Sequence, residues 1–221
     1  MLDVAGVAAG TAVGCLLKKH IGKELNESMN LALAVICAAV GIQLLGKAVH
    51  MPAAVLALLA GGILGHVLKI DRGLSSLSGR LPASGEGGAA QTLLVAFSLY
   101  CLSTTGIIGA LSLGFEGDAS VLTTKAIMDF AASVFFAVGS GWVLALVSIP
   151  LAAILMGFYL LAGILMPHLT PEMIGDFSAC GGMIQLLNAL RIAKLRNPPV
   201  ADYMPALVLV FLFSAFWSSM G

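Results

Sequence analysis

The sequence predicts an all-α polytopic membrane protein of about eight transmembrane helices, with an inverted-topology repeat within it. Three observations carry that expectation. Of 221 residues, 59% are hydrophobic and only 10% charged, against about 25% charged in a soluble domain, so the chain lacks the polar surface that water requires. The apolar residues run in blocks of roughly 16 to 24, the length that crosses a ~30 Å hydrocarbon core as helix, and not in the short alternating segments of a β-barrel. The third is an echo: Ile-Gln-Leu-Leu stands at 42–45 and again at 184–187, followed each time by Met-Pro-Ala, at 51–53 and 204–206.

The first span, 2–17, carries Asp3 where a signal peptide would be basic, and no small-residue cleavage site follows, so it is expected to remain as a helix. Gly6, Gly10 and Gly14 stripe it at four-residue spacing, a surface for close helix packing or for a dimer. Spans two and three, 29–46 and 51–68, hold the first copy of the echo. The stretch 69–90 is the longest aqueous segment, and Ser and Gly dominate its second half, so a flexible connector is expected. Span four, 91–113, carries a small, weakly polar stripe of Ser98, Cys101, Thr105, Gly109 and Ser112, most simply a packing surface. Its Ser-Thr-Thr-Gly, 103–106, places Thr104 and Thr105 beside a glycine, where an unwound backbone could hold an ion.

Spans five and six, 119–139 and 142–166, form one apolar run that divides at Gly139–Ser140–Gly141. With Asp118 as cap, Asp129 lies about 16 Å into span five at 1.5 Å per residue, near the bilayer centre. An ionisable group there costs about 2.5–3.5 kcal/mol on insertion scales and marks a functional candidate. Lys125, Asp129 and Ser133 share one helix face. Two readings stay open: an ion pair that makes the helix insertable, or a cation or proton ligand facing a wet cavity. Span seven, 172–190, opens with Thr170 as N-cap and Pro171 in the first turn, with Asp176 shallow enough to complement the helix dipole. Ser178, Gln185 and Asn188 line one face further in, as interhelical glue or as ligands. Gln185 would be the counterpart of Gln43. Span eight is 202–220.

Nine of the eleven basic residues fall in the loops 18–28, 69–90 and 191–201, leaving Lys47 and Lys125 for the other side. The positive-inside rule makes those three loops cytoplasmic and puts both termini outside. The hairpins 29–68 and 172–220 then cross in opposite directions, with spans 91–166 between them, all within one transmembrane domain over 1–221. Inverted hairpins of this kind pack about a pseudo-two-fold axis in many secondary transporters.

Cys15, Cys37, Cys101 and Cys180 all lie in apolar blocks and form no metal-binding spacing. His20, His50, His66 and His168 fall near span ends. No metal site, nucleophile–base pair or nucleic-acid partner is expected, so an enzyme is not expected either.

The blocks "AAGTAVGCLLKKHIGKELNESM", "GGILGHVLKIDRGLSSLSGRL", "GIIGALSLGFEGDASVLTTKAIMDFAAS" and "FSACGGMIQLLNALRI" resemble, in order and over nearly the whole chain, a family of bacterial integral membrane proteins. It is the family called domain of unknown function 554, the YqgA/YdfK-like proteins. Gly117, Asp118, Lys125 and Asp129 carry the most specific part of the resemblance. It implies a multi-pass protein of the bacterial inner membrane and assigns no activity. The expected function is a small secondary transporter or ion-coupled carrier for a small solute or ion, in the lipid bilayer and as a homodimer. Asp129, Lys125, Ser133, Gln43, Gln185, Asn188, Thr104, Thr105 and Asp176 would line its pathway, with Na+ or H+ as coupling cation and no other cofactor. The alternative is a non-transporting membrane scaffold or regulatory partner, in which Gly6, Gly10 and Gly14 matter more than any buried polar group.

Overall fold

The computed structural model describes residues 2–79 and 89–219, and every regular element among them is helical. The α-helices are α1 (Leu2–Leu17), α2 (Lys23–Leu45), α3 (Met51–Leu68), α4 (Ile70–Gly79), α5 (Ala89–Cys101), α6 (Thr104–Glu116), α7 (Ser120–Ser140), α8 (Ser148–Leu165), α9 (Pro171–Ile192) and α10 (Ala206–Ser218). They cluster into two compact units, Met1–Leu33 with Ser75–Met166, and Ala34–Leu74 with Pro167–Gly221, the boundary falling inside α2.

Five segments are long and apolar enough to cross a membrane: Glu24–Leu45, Met51–Leu68, Thr92–Glu116, Ser120–His168 and Val200–Ser218. Leu2–Leu17 is a shorter apolar helix. Ser120–His168 is one run of 49 residues, enough for two crossings. The expected crossing at α9 is not among the five, because Glu172, Asp176, Gln185, Asn188 and Arg191 lower its hydropathy. Much of that helix is instead enclosed by protein, with every residue from Gly175 to Gly182 buried.

In the first unit α1 runs parallel to α7. Gly6 lies against Ala126, Gly10 against Phe130 and Ser133, and Gly14 against Val134 and Ala137. A Cβ on Gly6 would come within 2.7 Å of the Ala126 carbonyl oxygen, so only glycine lets the two backbones meet. The stripe therefore serves packing within the chain. On α6, Gly109 meets Val121 and Leu122 while Gly106 meets Lys125, so α7 runs antiparallel to α6. Gly106 also meets Leu155, and Gly114 meets Tyr159 and Ala162, so α8 runs with α6. The chain therefore reverses between α7 and α8. It does so through Gly141, at φ 66°, and a 3-10 segment, Gly141–Val147.

In the second unit α2 runs antiparallel to α9, and α3 antiparallel to α10. The Cys37 thiol donates to the Gln185 carbonyl at 3.3 Å. A Cβ on Gly41 would lie 2.9 Å from the Gly182 carbonyl oxygen, and one on Gly182 would lie 2.6 Å from that of Gly41. Gly175 meets the Lys47 carbonyl, further along the same crossing. Gly61 lies against Ala206 and Gly65 against Asp202, which sets the opposed directions of α3 and α10.

Two expectations need correction. The connector expected to be flexible from residue 69 starts as a helix. Lys69 closes α3 in the left-handed conformation, φ 55°, α4 follows at once, and residues 80–88 lie outside the described residues. Span four is not one helix either: it breaks at Leu102–Ser103 into α5 and α6, of 13 residues each.

Candidate functional site

The break in span four follows from its sequence. Ser103 adopts extended backbone, φ −77° and ψ 114°, and stands at the N-cap of α6. Ser and Thr hydroxyls compete with helical backbone bonds, and Gly106 adds backbone freedom, so Ser-Thr-Thr-Gly is a weak point in an otherwise apolar helix. Leu102 still donates to Ser98 at 3.3 Å, and Gly106 and Ile107 both donate to the Ser103 carbonyl, at 3.1 and 3.2 Å. Irregular backbone at membrane depth persists only where protein surrounds it or where it lines a cavity. Thr92–Glu116 meets the first condition, being 78% buried against 22–39% for the other candidate spans.

Beside the break lies a buried ionic cluster. The Lys125 ammonium donates to Asp3 Oδ2 at 2.9 Å and to Asp129 Oδ2. Residue exposures are 1% for Asp3, 5% for Lys125 and 7% for Asp129. The ammonium also sits 5.8 Å from the Tyr100 ring centroid, within the range of a cation–π attraction. The Tyr100 hydroxyl and Ser133 share a hydrogen bond of 2.8 Å. Gly106 leaves room for the lysine stem, since a Cβ there would meet Lys125 Cε at 2.9 Å. Asp3 Oδ1 in this cluster and Thr104 Oγ1 at the helix break are buried oxygens with no hydrogen-bond partner. Thr105 is half-buried.

Asp129, Lys125 and Ser133 are thus brought together in the first unit, while Thr104 is buried at the break, two residues before the Gly106 that meets Lys125. Asp3 completes the group and was read in the sequence only as an argument against a signal peptide. The signal that could have found it is the glycine stripe: Asp3 stands one turn before Gly6, on the face of α1 that meets α7. Tyr100, one residue before Cys101, was missed as well.

The other predicted residues belong to the second unit. Gln43 is exposed on α2. Asn188 is fully buried, and its amide lies 3.4 Å from Gln185 Oε1 on the same helix. Asp176 is a clasp. Its Oδ1 accepts the N–H groups of Val49 and His50 at 2.9 and 2.6 Å, and Oδ2 accepts the Ser214 hydroxyl at 2.7 Å and lies 3.1 Å from His50 Nδ1. One carboxylate from α9 therefore holds the turn that leads into α3 and also holds α10. A second clasp uses Asp202, which accepts the Asp71 N–H at 2.8 Å and lies 3.6 Å from His66 Nδ1. Asp71 in turn lies 3.6 Å from the Arg191 guanidinium. Among the described residues the carboxylates of the second unit are thus Asp71, Glu172, Asp176 and Asp202, while Asp129 is held within the first unit. Among the described residues no group of three or more His, Cys, Asp or Glu could hold a metal ion.

Comparison with known proteins gives one family and two relatives. The model of a family described as "Protein of unknown function (DUF554)" matches residues 1–215. The chain is similar to "Uncharacterized protein YqgA" of Escherichia coli (strain K12), 32% identical over 228 residues, covering 99% of this chain and 96% of that protein. It is also similar to "Uncharacterized membrane protein YdfK" of Bacillus subtilis (strain 168), 24% identical over 220 residues, covering 95% and 94%. No solved structure matches.

Proposed function

The chain belongs to the DUF554 family of proteins of unknown function, and from that premise we propose that it is a small ion-coupled secondary carrier of the bacterial inner membrane. One observation carries the reading: a membrane-length helix broken at its middle, with the break beside a buried cluster of two carboxylates and one ammonium. Broken helices are the usual source of freed backbone groups at a transport site, and intramembrane charges mark ion pathways.

In this reading the hairpins 29–68 and 172–220 are an inverted pair, and the helix register of the second unit supports it. Aligned on Ile-Gln-Leu-Leu, Val40 corresponds to Gly182, and α2 meets α9 one residue away, at Gly41 and Gly182. Aligned on Met-Pro-Ala, Ala57 corresponds to Val210. The antiparallel register of Gly61 against Ala206 brings those two, both fully buried, opposite each other. Each helix would therefore cross its own counterpart at the point of correspondence, as a two-fold axis in the membrane plane requires. Gly6, Gly10 and Gly14 stay occupied by α7 in this reading, so any dimer uses another surface.

The test is flux. Purified full-length protein in proteoliposomes, screened by capacitive currents against panels of small solutes under sodium and proton gradients, is expected to carry charge, and Asp129→Asn is expected to abolish the current. A wild-type protein silent across the panels, or an Asp129→Asn variant as active as wild type, would reject this assignment. A second reading has its own observation. The ammonium is already bonded to both carboxylates, the form a purely structural ion pair takes in a membrane scaffold, and that reading expects silence.

A further inference from the structure

The cluster on α1 and α7 does not balance its own charge. Lys125 brings one ammonium while Asp3 and Asp129 bring two carboxylates, each side chain nine-tenths buried or more. Among the described residues the other titratable groups facing it are Tyr100 and Cys101 of α5, and neither supplies positive charge. From α6 comes Gly106, and beside it from α8 the aliphatic Leu155. With both acids ionised, one negative charge would stand uncompensated inside the protein, which is strongly unfavourable. Two carboxylates crowded into one site do not both ionise readily.

We propose that the cluster takes up a single proton from water, shared by the carboxylates of Asp3 and Asp129, and that the coupling ion of this protein is the proton and not sodium. The inference rests on the carrier reading above for its word "coupling", and on geometry for the rest. The position between the carboxylates, which a sodium ion would need, is filled by Lys125 Nζ, hydrogen-bonded to both. A metal cation would have to enter against that ammonium, with like charges at contact distance. A proton needs only a lone pair, and Asp3 Oδ1 is a buried oxygen with no partner. On uptake the cluster passes from a net charge of minus one to zero, Lys125 remaining an ammonium throughout. On release to water the charge returns.

The test reads the proton directly. Infrared spectra of purified full-length protein, taken from mildly alkaline to mildly acid pH, are expected to contain the carbonyl band of a protonated carboxyl that shifts in heavy water. That band should disappear in Asp3→Asn or in Asp129→Asn, and should not change when sodium chloride replaces choline chloride. No such band in the wild-type protein at any pH overturns the proposal, and so does a wild-type thermal midpoint that rises with sodium over choline. Both of those outcomes use only the wild-type chain, so a variant that fails to fold does not shield the idea. Vesicles loaded with the pH dye pyranine separate the two readings. A carboxyl band with no solute-driven proton movement removes the carrier and keeps the proton site. Sodium-driven flux without the band keeps the carrier and removes the proton.

Discussion

Within the Lys125–Asp3 pair, removing the cation and removing the acid are unequal. Removing the ammonium, as in Lys125→Met, leaves two carboxylates buried without a partner, and breaking a buried pair in this way costs about 3–5 kcal/mol. Asp3→Asn keeps an oxygen for the ammonium to meet and removes the surplus charge, so its cost is expected to stay below about 1 kcal/mol, the scale of one ordinary hydrogen bond. Thermal unfolding of the two variants in detergent checks the order, and equal losses would contradict it. Asp118 offers a pH prediction outside the membrane-spanning segments. The N–H and the hydroxyl of Ser120 both donate to it at 2.9 Å and hold its carboxyl below the ordinary value. Because the folded value is the lower one, the stabilisation from this contact is fully present above the unfolded carboxylate's pKa and is lost as pH falls through the folded one. An NMR titration is expected to place the Asp118 midpoint below that of an unstructured peptide, with Ser120→Ala moving it back toward the peptide value.

Helix ends bounded by polar turns were the most legible elements. The expected spans 2–17 and 51–68 coincide with α1 and α3, since Lys18–Lys19 closes one and His50–Met51–Pro52 opens the other. The break in span four was legible only as a composition, Ser-Thr-Thr-Gly, because hydropathy averages over the window that contains it. Asp3 was hidden for a different reason. An acid in a first turn reads as shallow, and its partner on α7 stands 122 residues away, so no local pattern joins them. The glycine stripe was legible as a packing face, but its partner was not, because any apolar helix could have served. Now that α7 is the partner, Gly10→Leu should force the helices apart and cost about 3 kcal/mol or more, the upper range for overpacking. Its thermal midpoint should fall well below that of Ala9→Leu, one position away on the exposed face of α1.

Within the first unit α1 runs with α7 and α6 with α8, and within the second α2 runs against α9 and α3 against α10. The sidedness read from lysine and arginine makes a separate prediction. In a variant stripped of its native cysteines, single cysteines placed at Lys47 or Asp118 should react with a membrane-impermeant maleimide in intact cells, and those at Arg72 or Arg196 only after lysis. The reverse pattern would invert the topology. The seating of α1 against α7 also has a consequence during synthesis. The residue that neutralises Asp3 leaves the ribosome 122 positions later, which at 5–20 residues per second is a delay of about 6–24 s. For that interval the nascent N-terminal segment carries an acid without its ammonium, and its hold in the bilayer rests with the insertion machinery until the lysine arrives.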